Sequence, residues 1–498
     1  MVKHHHGRML DWCDKAIVFS ACVLILFLPI SIAMVESFSG FVILFFVIKK
    51  FLIAREDVSK VTGQKTDSFF FDELMWQHFR RQLILPKHTL RFSLLILMTI
   101  VFLSVLFSQD RVSSIIAYVG KFLQGIALML SLHEGFKQKK YLMWFTGAFL
   151  CSAGLVALSG LSQYFFHYEF LRQNELSAEG RISSSLRHPN DLGIYLTIAL
   201  GINIAWFCSL KSKPLIKGGL IFLFALMMYV LLLTYSRSAW VGFLSLLLFI
   251  PIFEKKFTPF VVLIIFIIVG LFLPSLKNKR NYLLFSDNPK SAQKIVDHEQ
   301  INKNESSVWG EDIAKESNMA DKLTNALVKP VDTRFSSPVD TYTDESIVHA
   351  ILMEISKFGG SGRAEYWDKA IKVIQTAPVL GTGLNTYSKQ VEKIPGFWGG
   401  GYAHNCYLQM TAETGLLGIT AFLYFFFSLI YFVIKALRRM TDIFLRNNTI
   451  IGCGILIAYL VQSFFDTTFY SVQLGNLLWI ISGLLLAMVS QSPKFDKT

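Results

Sequence analysis

The chain is a series of long apolar runs, each able to cross a bilayer, with most of its charge confined to the stretches between them. A helical crossing takes roughly 17–25 apolar residues. Inside hydrocarbon every backbone N–H and C=O must be satisfied within the protein, so only helices or closed barrels can span it. The runs here are continuous and do not alternate, which selects helices. About twelve are expected, near 15–33, 35–53, 90–108, 112–132, 142–165, 189–209, 216–234, 238–253, 258–274, 414–435, 449–465 and 473–490. Only Glu36 and Ser37 separate the first two. The expected fold is an all-α polytopic membrane protein. Residues 1–274 carry spans one to nine, 275–402 form one large loop, and 403–498 carry spans ten to twelve.

Net charge is +13 over 498 residues. In a chain this apolar the excess Lys and Arg is read as cytoplasmic loop charge and not as a nucleic-acid surface. The inner set is Lys49–Arg55 with Arg80–Lys87, Lys137–Lys140, Lys211–Lys217, Glu254–Lys256, Lys435–Arg446 and the tail Lys494–Lys497. It alternates with an outer set: Gln109–Arg111, His167–His188, Tyr235–Arg237, Lys277–Gly401 and Asp466–Gln473. Both termini are then expected in the cytoplasm, with the first span an uncleaved anchor. The six cysteines include no CxxC pair, so no zinc site or disulfide framework is indicated. His4-His5-His6 reads as an incidental terminal tract.

The polar-aromatic segment Thr66–His88 is expected to lie along the membrane surface as an amphipathic piece. In the large loop, 275–360 reads as a flexible insertion, because loops beyond about 12–15 residues are usually functional or disordered. From 361 to 402 the pattern becomes ordered. Ala364, Trp367, Ile371 and Ile374 recur at helical spacing between Gly362 and Pro378. Gly381-Thr382-Gly383 is a tight turn, too short for a nucleotide loop. Ala403–Thr414 is helical and runs into the next span after Gly415.

Arg181, Arg187 and Arg237 fall at the rim of spans on the outer set, where charge is costly and points to function. Arg237 is also open to snorkelling or to capping a carbonyl, and Arg187, beside His188, to headgroup contact. A guanidinium fork takes two phosphate oxygens at once and keeps its charge. Several of them could hold a diphosphate and stabilise it as a leaving group, the task a metal performs elsewhere. The chain has no DxD pair and no His/Cys ligand cluster, so no metal or other cofactor is expected. His404 could accept a proton from a hydroxyl, or simply cap a helix. Asn405 could orient its ring or bind sugar hydroxyls. Glu413 could be a structural ion-pair partner. Asp466 is ambiguous between a helix end and a ligand contact.

These residues lie in blocks that resemble a known family. Arg181-Ile-Ser-Ser-Ser-Leu-Arg-His-Pro-Asn190 resembles the R-x-x-G-[TS]-[FL]-x-N-P-N loop of the O-antigen ligase and polymerase superfamily. Thr234-Tyr-Ser-Arg-Ser-Ala-Trp240 resembles its T-x-S-R-[SA]-x-[WL] element. Arg363-Ala-Glu-Tyr-Trp367, Pro378–Gly383, His404-Asn-Cys-Tyr-Leu408 and Glu413–Gly418 are similar to its R-x-x-x-W, P-x-x-G-x-G, H-N-x-[YF]-L and E-x-G-x-x-G series. An ordered series is more specific than any single block. Two positions depart from the pattern: Ser184 stands where the family often has Gly, and His188 where it often has Asn.

The resemblance implies a glycosyltransferase of the C-type membrane architecture in the bacterial inner membrane, with its active site facing the periplasm. Its donor is a glycan on undecaprenyl diphosphate. Its acceptor is lipid A core (a ligase), another repeat unit (a polymerase) or a protein hydroxyl (an oligosaccharyltransferase). Ligase-type transfer is the leading expectation. By carry-over Arg181, Arg237 and Arg363 bind the diphosphate, with Asn190, Arg187 and Asn405 as further substrate contacts. His404 orients or deprotonates the acceptor, the configuration inverts, and no metal is required. For Arg363 an ion pair with Glu365 or Glu413 is the structural alternative. A lipid-linked glycan transporter is the competing class, disfavoured because the spans carry few midplane charges. Oligomeric state is left open.

Overall fold

The structure, a computed structural model, describes residues 2–62, 73–82, 88–174, 176, 180–209, 214–255, 258, 363–394 and 401–491. Contacts divide the chain into one compact unit, Met1–Ile265 with Leu352–Thr498, and a second, Phe266–Ile351. The second unit, and with it the expected ninth span and most of the expected insertion, lies outside the described residues.

In chain order the helices are α1 (Val2–Phe27), α2 (Ile32–Thr62), α3 (Glu73–Gln82), α4 (His88–Leu106), α5 (Arg111–Ala117), α6 (Gln124–Gly135), α7 (Lys139–Phe166), α8 (Pro189–Ser209), α9 (Pro214–Leu233), α10 (Arg237–Phe253), α11 (Arg363–Thr376), α12 (Tyr387–Val391), α13 (Cys406–Leu437), α14 (Ile443–Ser463) and α15 (Val472–Ser490). Among the described residues eight helical stretches are long and apolar enough to cross a membrane, and Leu90–Leu106 and Arg237–Phe253 are shorter apolar ones. The chain is an all-α, multi-pass membrane protein.

Two spans differ locally from expectation. The break between the first two falls at Leu28–Ser31, ahead of Glu36. Pro29 lacks the N–H that helix continuation needs. Glu36 stays inside α2, where its carboxylate accepts a hydrogen bond from Gln124 Nε2 at 2.7 Å. The fourth span is interrupted by a π-helical turn, Tyr118–Leu123, between α5 and α6. Such turns leave little trace in an apolar run. The expected surface piece at 66–88 is described from Glu73, where α3 lays Met75 and Phe79 against Ala54 and Val58 of α2.

Contacts within and beside each loop set group the two sets separately. Within the inner set Lys139 pairs with Asp442, Arg446 with Glu254, and Asn448 with Ser209. Within the outer set Gln109 N donates to Thr382 O at 3.0 Å, Lys389 pairs with Asp110 at 2.5 Å, and Cys406 N donates to Asp466 O at 3.1 Å. The bundle therefore has an arginine face, built from the outer set, and an opposite face.

The arginine face is anchored by a break in α13. Gly415 has φ 72° and ψ −179° inside the helix, so carbonyls before it and N–H groups after it lose their helical partners. The Pro378–Gly383 loop supplies replacements. Thr382 N and Gly383 N donate to the carbonyls of Ala412 and Glu413 at 3.0 and 2.8 Å. Pro378 and Val379 carbonyls accept from Leu416 N and Leu417 N at 2.8 and 3.3 Å. A Cβ on residue 415 would sit 2.0 Å from the Val379 carbonyl oxygen, so only glycine fits both the backbone angle and the approach. Glu413 is buried beside this joint and accepts from Asn385 N at 3.0 Å and Tyr470 Oη at 3.3 Å. Its role is to tie backbone, which corrects the ion-pair alternative.

Candidate active site

The site is assembled from the N-terminal ends of four helices. Such ends carry partial positive charge and suit anions. Before α8 the chain runs through a loop held from below. Gln163 Oε1 accepts from Ser183 N and Ser184 N at 3.0 and 2.8 Å, and Asn174 Nδ2 donates to the Ser184 and Leu186 carbonyls at 2.7 and 3.1 Å. Ser184 takes φ 50°, a left-handed angle that favours glycine. That accounts for the departure from Gly: the serine hydroxyl is held by Val156 O at 2.8 Å. Glu169 organises the same loop, accepting from Ser159 Oγ, Leu171 N at 2.8 Å and Arg172 N at 2.6 Å. Burial raises its pKa, but these bonds outweigh it and hold the carboxyl below the ordinary value.

Arg181 emerges from this cage already oriented. Nε donates to Thr234 O and an Nη to Asn190 Oδ1, both at 2.9 Å. Asn190 thus positions Arg181, and is itself buried. Thr234 belongs to the turn that leads into α10, in which Ser236 caps the helix through Ala239 N. Gly193 of α8 lets this turn approach, since a Cβ there would meet Ala239 Cβ at 2.6 Å. Arg237, the first residue of α10, is exposed.

Arg363 comes from the other side. It opens α11, one helical turn before Trp367, so the two share a face. Trp367 is fully buried, edge-on against Phe464 with ring centroids 5.5 Å apart. The Arg363 guanidinium lies 5.9 Å from the centre of the adjacent Phe465 ring. The face α11 buries is Trp367, Lys369, Ala370 and Val373; Ala364 and Ile371 of the expected stripe are only half-buried. Burial lowers the pKa of Arg363; Asp466 opposes this, while the charges of Arg181 and Arg237 reinforce it. The three guanidinium groups named from sequence are thus near enough to act on one another. Glu365 pairs with Lys369 at 2.8 Å and Glu413 with backbone, so among the described residues neither takes Arg363 as an ion-pair partner.

His404 lies just ahead of α13 with φ 48°. Its ring meets Tyr366 of α11 at 4.9 Å, 69° between planes, and its Nδ1 faces Asp466 Oδ1 at 3.9 Å. Asn405 is 0% exposed, and its Oδ1 caps α13 by accepting from Tyr407 N and Leu408 N at 3.0 and 3.1 Å. A sugar contact by Asn405 finds no surface here; its work is to fix the turn that carries His404. Arg187 is exposed on the rim and interacts by charge with Asp191 of α8.

Sequence reasoning missed Gln163, Asn174, Glu169 and Tyr366. Gln163 and Asn174 act on residues 10–21 positions further on, Glu169 ties up backbone of its own loop, and Tyr366 is one aromatic among many. An apolar groove of about 380 Å³ runs between α13 and α14, lined by Tyr407, Phe426, Phe427, Leu460, Phe464 and Phe465 among others. Phe465 therefore lines the groove and also underlies Arg363.

Fold and site define a multi-pass membrane protein with a basic cluster beside a histidine and an apolar groove. Residues 222–423 match the family model described as O-antigen ligase. The matched stretch includes Arg237, Arg363 and His404 but begins after the Arg181 loop. No curated protein matches the chain.

Proposed function

We propose that the protein is a glycosyltransferase that moves a glycan from undecaprenyl diphosphate to an acceptor hydroxyl at the periplasmic side of the inner membrane, acting as an O-antigen ligase. The observation that carries this reading is that Arg363 feels the charges of Arg181, Arg237 and Asp466, the last of which faces His404. Like charges repel, and an anion bound among them offsets that repulsion. A diphosphate supplies that charge, and its oxygens suit guanidinium forks.

In the proposed reaction the acceptor oxygen forms a bond to the anomeric carbon while the bond from that carbon to the phosphate oxygen breaks. The bonding electrons leave with undecaprenyl diphosphate, and the acceptor proton passes to His404. A single displacement inverts the configuration. The arginines stabilise the charge that grows on the leaving diphosphate. The groove between α13 and α14 offers the carrier's tail an apolar bed beneath its head, with Phe465 at the junction.

The test is transfer by the purified full chain in nanodiscs, with EDTA throughout. An undecaprenyl-diphosphate glycan is the donor, and lipid A core or a second donor molecule is the acceptor. Product on lipid A core supports the ligase. A ladder on the carrier would replace it with a polymerase. No transfer to either would reject both.

A further inference from the structure

Asp466 lies between the basic cluster and the histidine, and nothing above gives it a task. It follows α14, whose end carries Phe464 and Phe465, and it is 5% exposed. Its backbone carbonyl accepts from Cys406 N and Cys406 Sγ, both at 3.1 Å, which fastens the end of α14 to the start of α13. Its Oδ1 accepts from Thr467 N at 2.8 Å. The other carboxylate oxygen, Oδ2, is buried with no hydrogen-bond partner among the described residues. A buried carboxylate left half-satisfied is expensive unless nearby cations hold it.

The charged groups around Asp466 are His404 from the turn before α13, Arg363 from α11, His188 from the turn before α8, and Asp191 from the first turn of α8. Burial pushes the Asp466 carboxyl up. The His404 ring, the Thr467 N–H and His188 outweigh that and keep it below the ordinary range. It is therefore an anion at neutral pH, facing the imidazole.

We propose that Asp466 is a positioning residue for His404: its Oδ1, 3.9 Å from Nδ1, keeps the ring proton on Nδ1 and leaves Nε2 to meet the acceptor hydroxyl. The ring is then steered by Asp466 at one nitrogen and by the Tyr366 ring beside it, on a backbone fixed by the Asn405 cap. An imidazole so held presents its lone pair in one direction, which general-base catalysis requires. The inference rests on the glycosyl-transfer reading.

The experiment is a double-mutant cycle in the full chain, reading kcat and donor KM for Asp466→Asn, His404→Ala and the pair. Asp466→Asn keeps the shape and an acceptor for Thr467 N–H but removes the charge. It is expected to lower kcat roughly 10²-fold with donor KM within about twofold. In the His404→Ala background the same change should cost less than about twofold, because residues acting as a unit are not additive. Additive losses would reduce Asp466 to a structural role and overturn the inference, as would wild-type kcat in Asp466→Asn. If Asp466→Asn does not fold, Asp466→Ser, which also removes the charge but keeps an acceptor for Thr467 N–H, is carried through the same cycle under the same criteria. Failure is separable from failure of the parent reading: a wild-type chain that transfers nothing removes both, whereas additive losses in an active enzyme remove only this inference.

Discussion

At the face opposite the arginines, cations meet acids side by side. Lys49 contacts Asp14 at 2.5 Å and Glu134 at 3.2 Å, Lys50 contacts Glu134 at 3.3 Å, and Lys139 and Arg446 reach Asp442 and Glu254. Lys49, Lys50 and Lys137 all reach Glu134. At the arginine face Arg181 is oriented by the Thr234 carbonyl and the Asn190 amide oxygen, and Arg363, beside the Phe465 ring, feels the charges of Arg181, Arg237 and Asp466. The first arrangement is complete as it stands and ties α1, α2 and α6 together. The second concentrates like charge and suits an anion. Both faces are basic, so net charge alone does not separate structure from function; the partners do.

The largest expected break is at Arg237. Arg237→Ala should lower transfer by about 10²–10³-fold, the scale of losing one donor to a developing oxyanion, with expression intact. Arg237→Lys should fail nearly as badly, since an ammonium cannot make the bidentate contact. Near-normal transfer by the lysine variant would remove the bidentate claim. Arg446→Ala, on the opposite face, should do the reverse. It should cost roughly 1–3 kcal/mol of stability by stranding Glu254 while leaving turnover per folded molecule unchanged, measured by thermal melting and assay together. A selective loss of turnover would blur the contrast between the faces.

Gly415→Ala tests the joint beneath the arginine face. The added methyl meets the Val379 carbonyl and a left-handed backbone, so a loss of about 1–3 kcal/mol is expected, visible as proteolysis near 378–383. The smallest effect is at Glu169. Its folded pKa lies below the unfolded value of about 4.3, so its stabilisation is complete above that pH and fades as pH falls through the folded value. Glu169→Gln should therefore melt about 1 kcal/mol lower than wild type at pH 7, with the gap closing below about pH 4. An unchanged gap in acid would show that the carboxylate charge is not what holds the loop.

Among the described residues most of the expected spans were legible because each apolar run declares its own length, although helices such as Val2–Phe27, Ile32–Thr62 and Cys406–Leu437 run well past the apolar stretch. The arginines and His404 were legible because charge at a span's rim is conspicuous. Three things were not. The sequence leaves Asn405 open between orienting the His404 ring and binding sugar, because nothing in an H-N pair says which side chain caps the helix. The bonding of Pro378–Gly383 into the break at Gly415 is a contact between distant backbones, and glycine spacing marks both ends without pairing them. Asp466 looked ambiguous because its meaning comes from residues on other helices. Local pattern gave the elements, and long-range packing gave the roles.

The most direct test of the account is a comparison of undecaprenyl diphosphate and undecaprenyl monophosphate binding by wild-type protein and by Arg181→Ala, Arg237→Ala and Arg363→Ala in nanodiscs. Preference for the diphosphate in the wild type, lost in each variant while monophosphate binding changes little, is the predicted result. Equal binding of the two lipids, or a preference that survives all three substitutions, would contradict it.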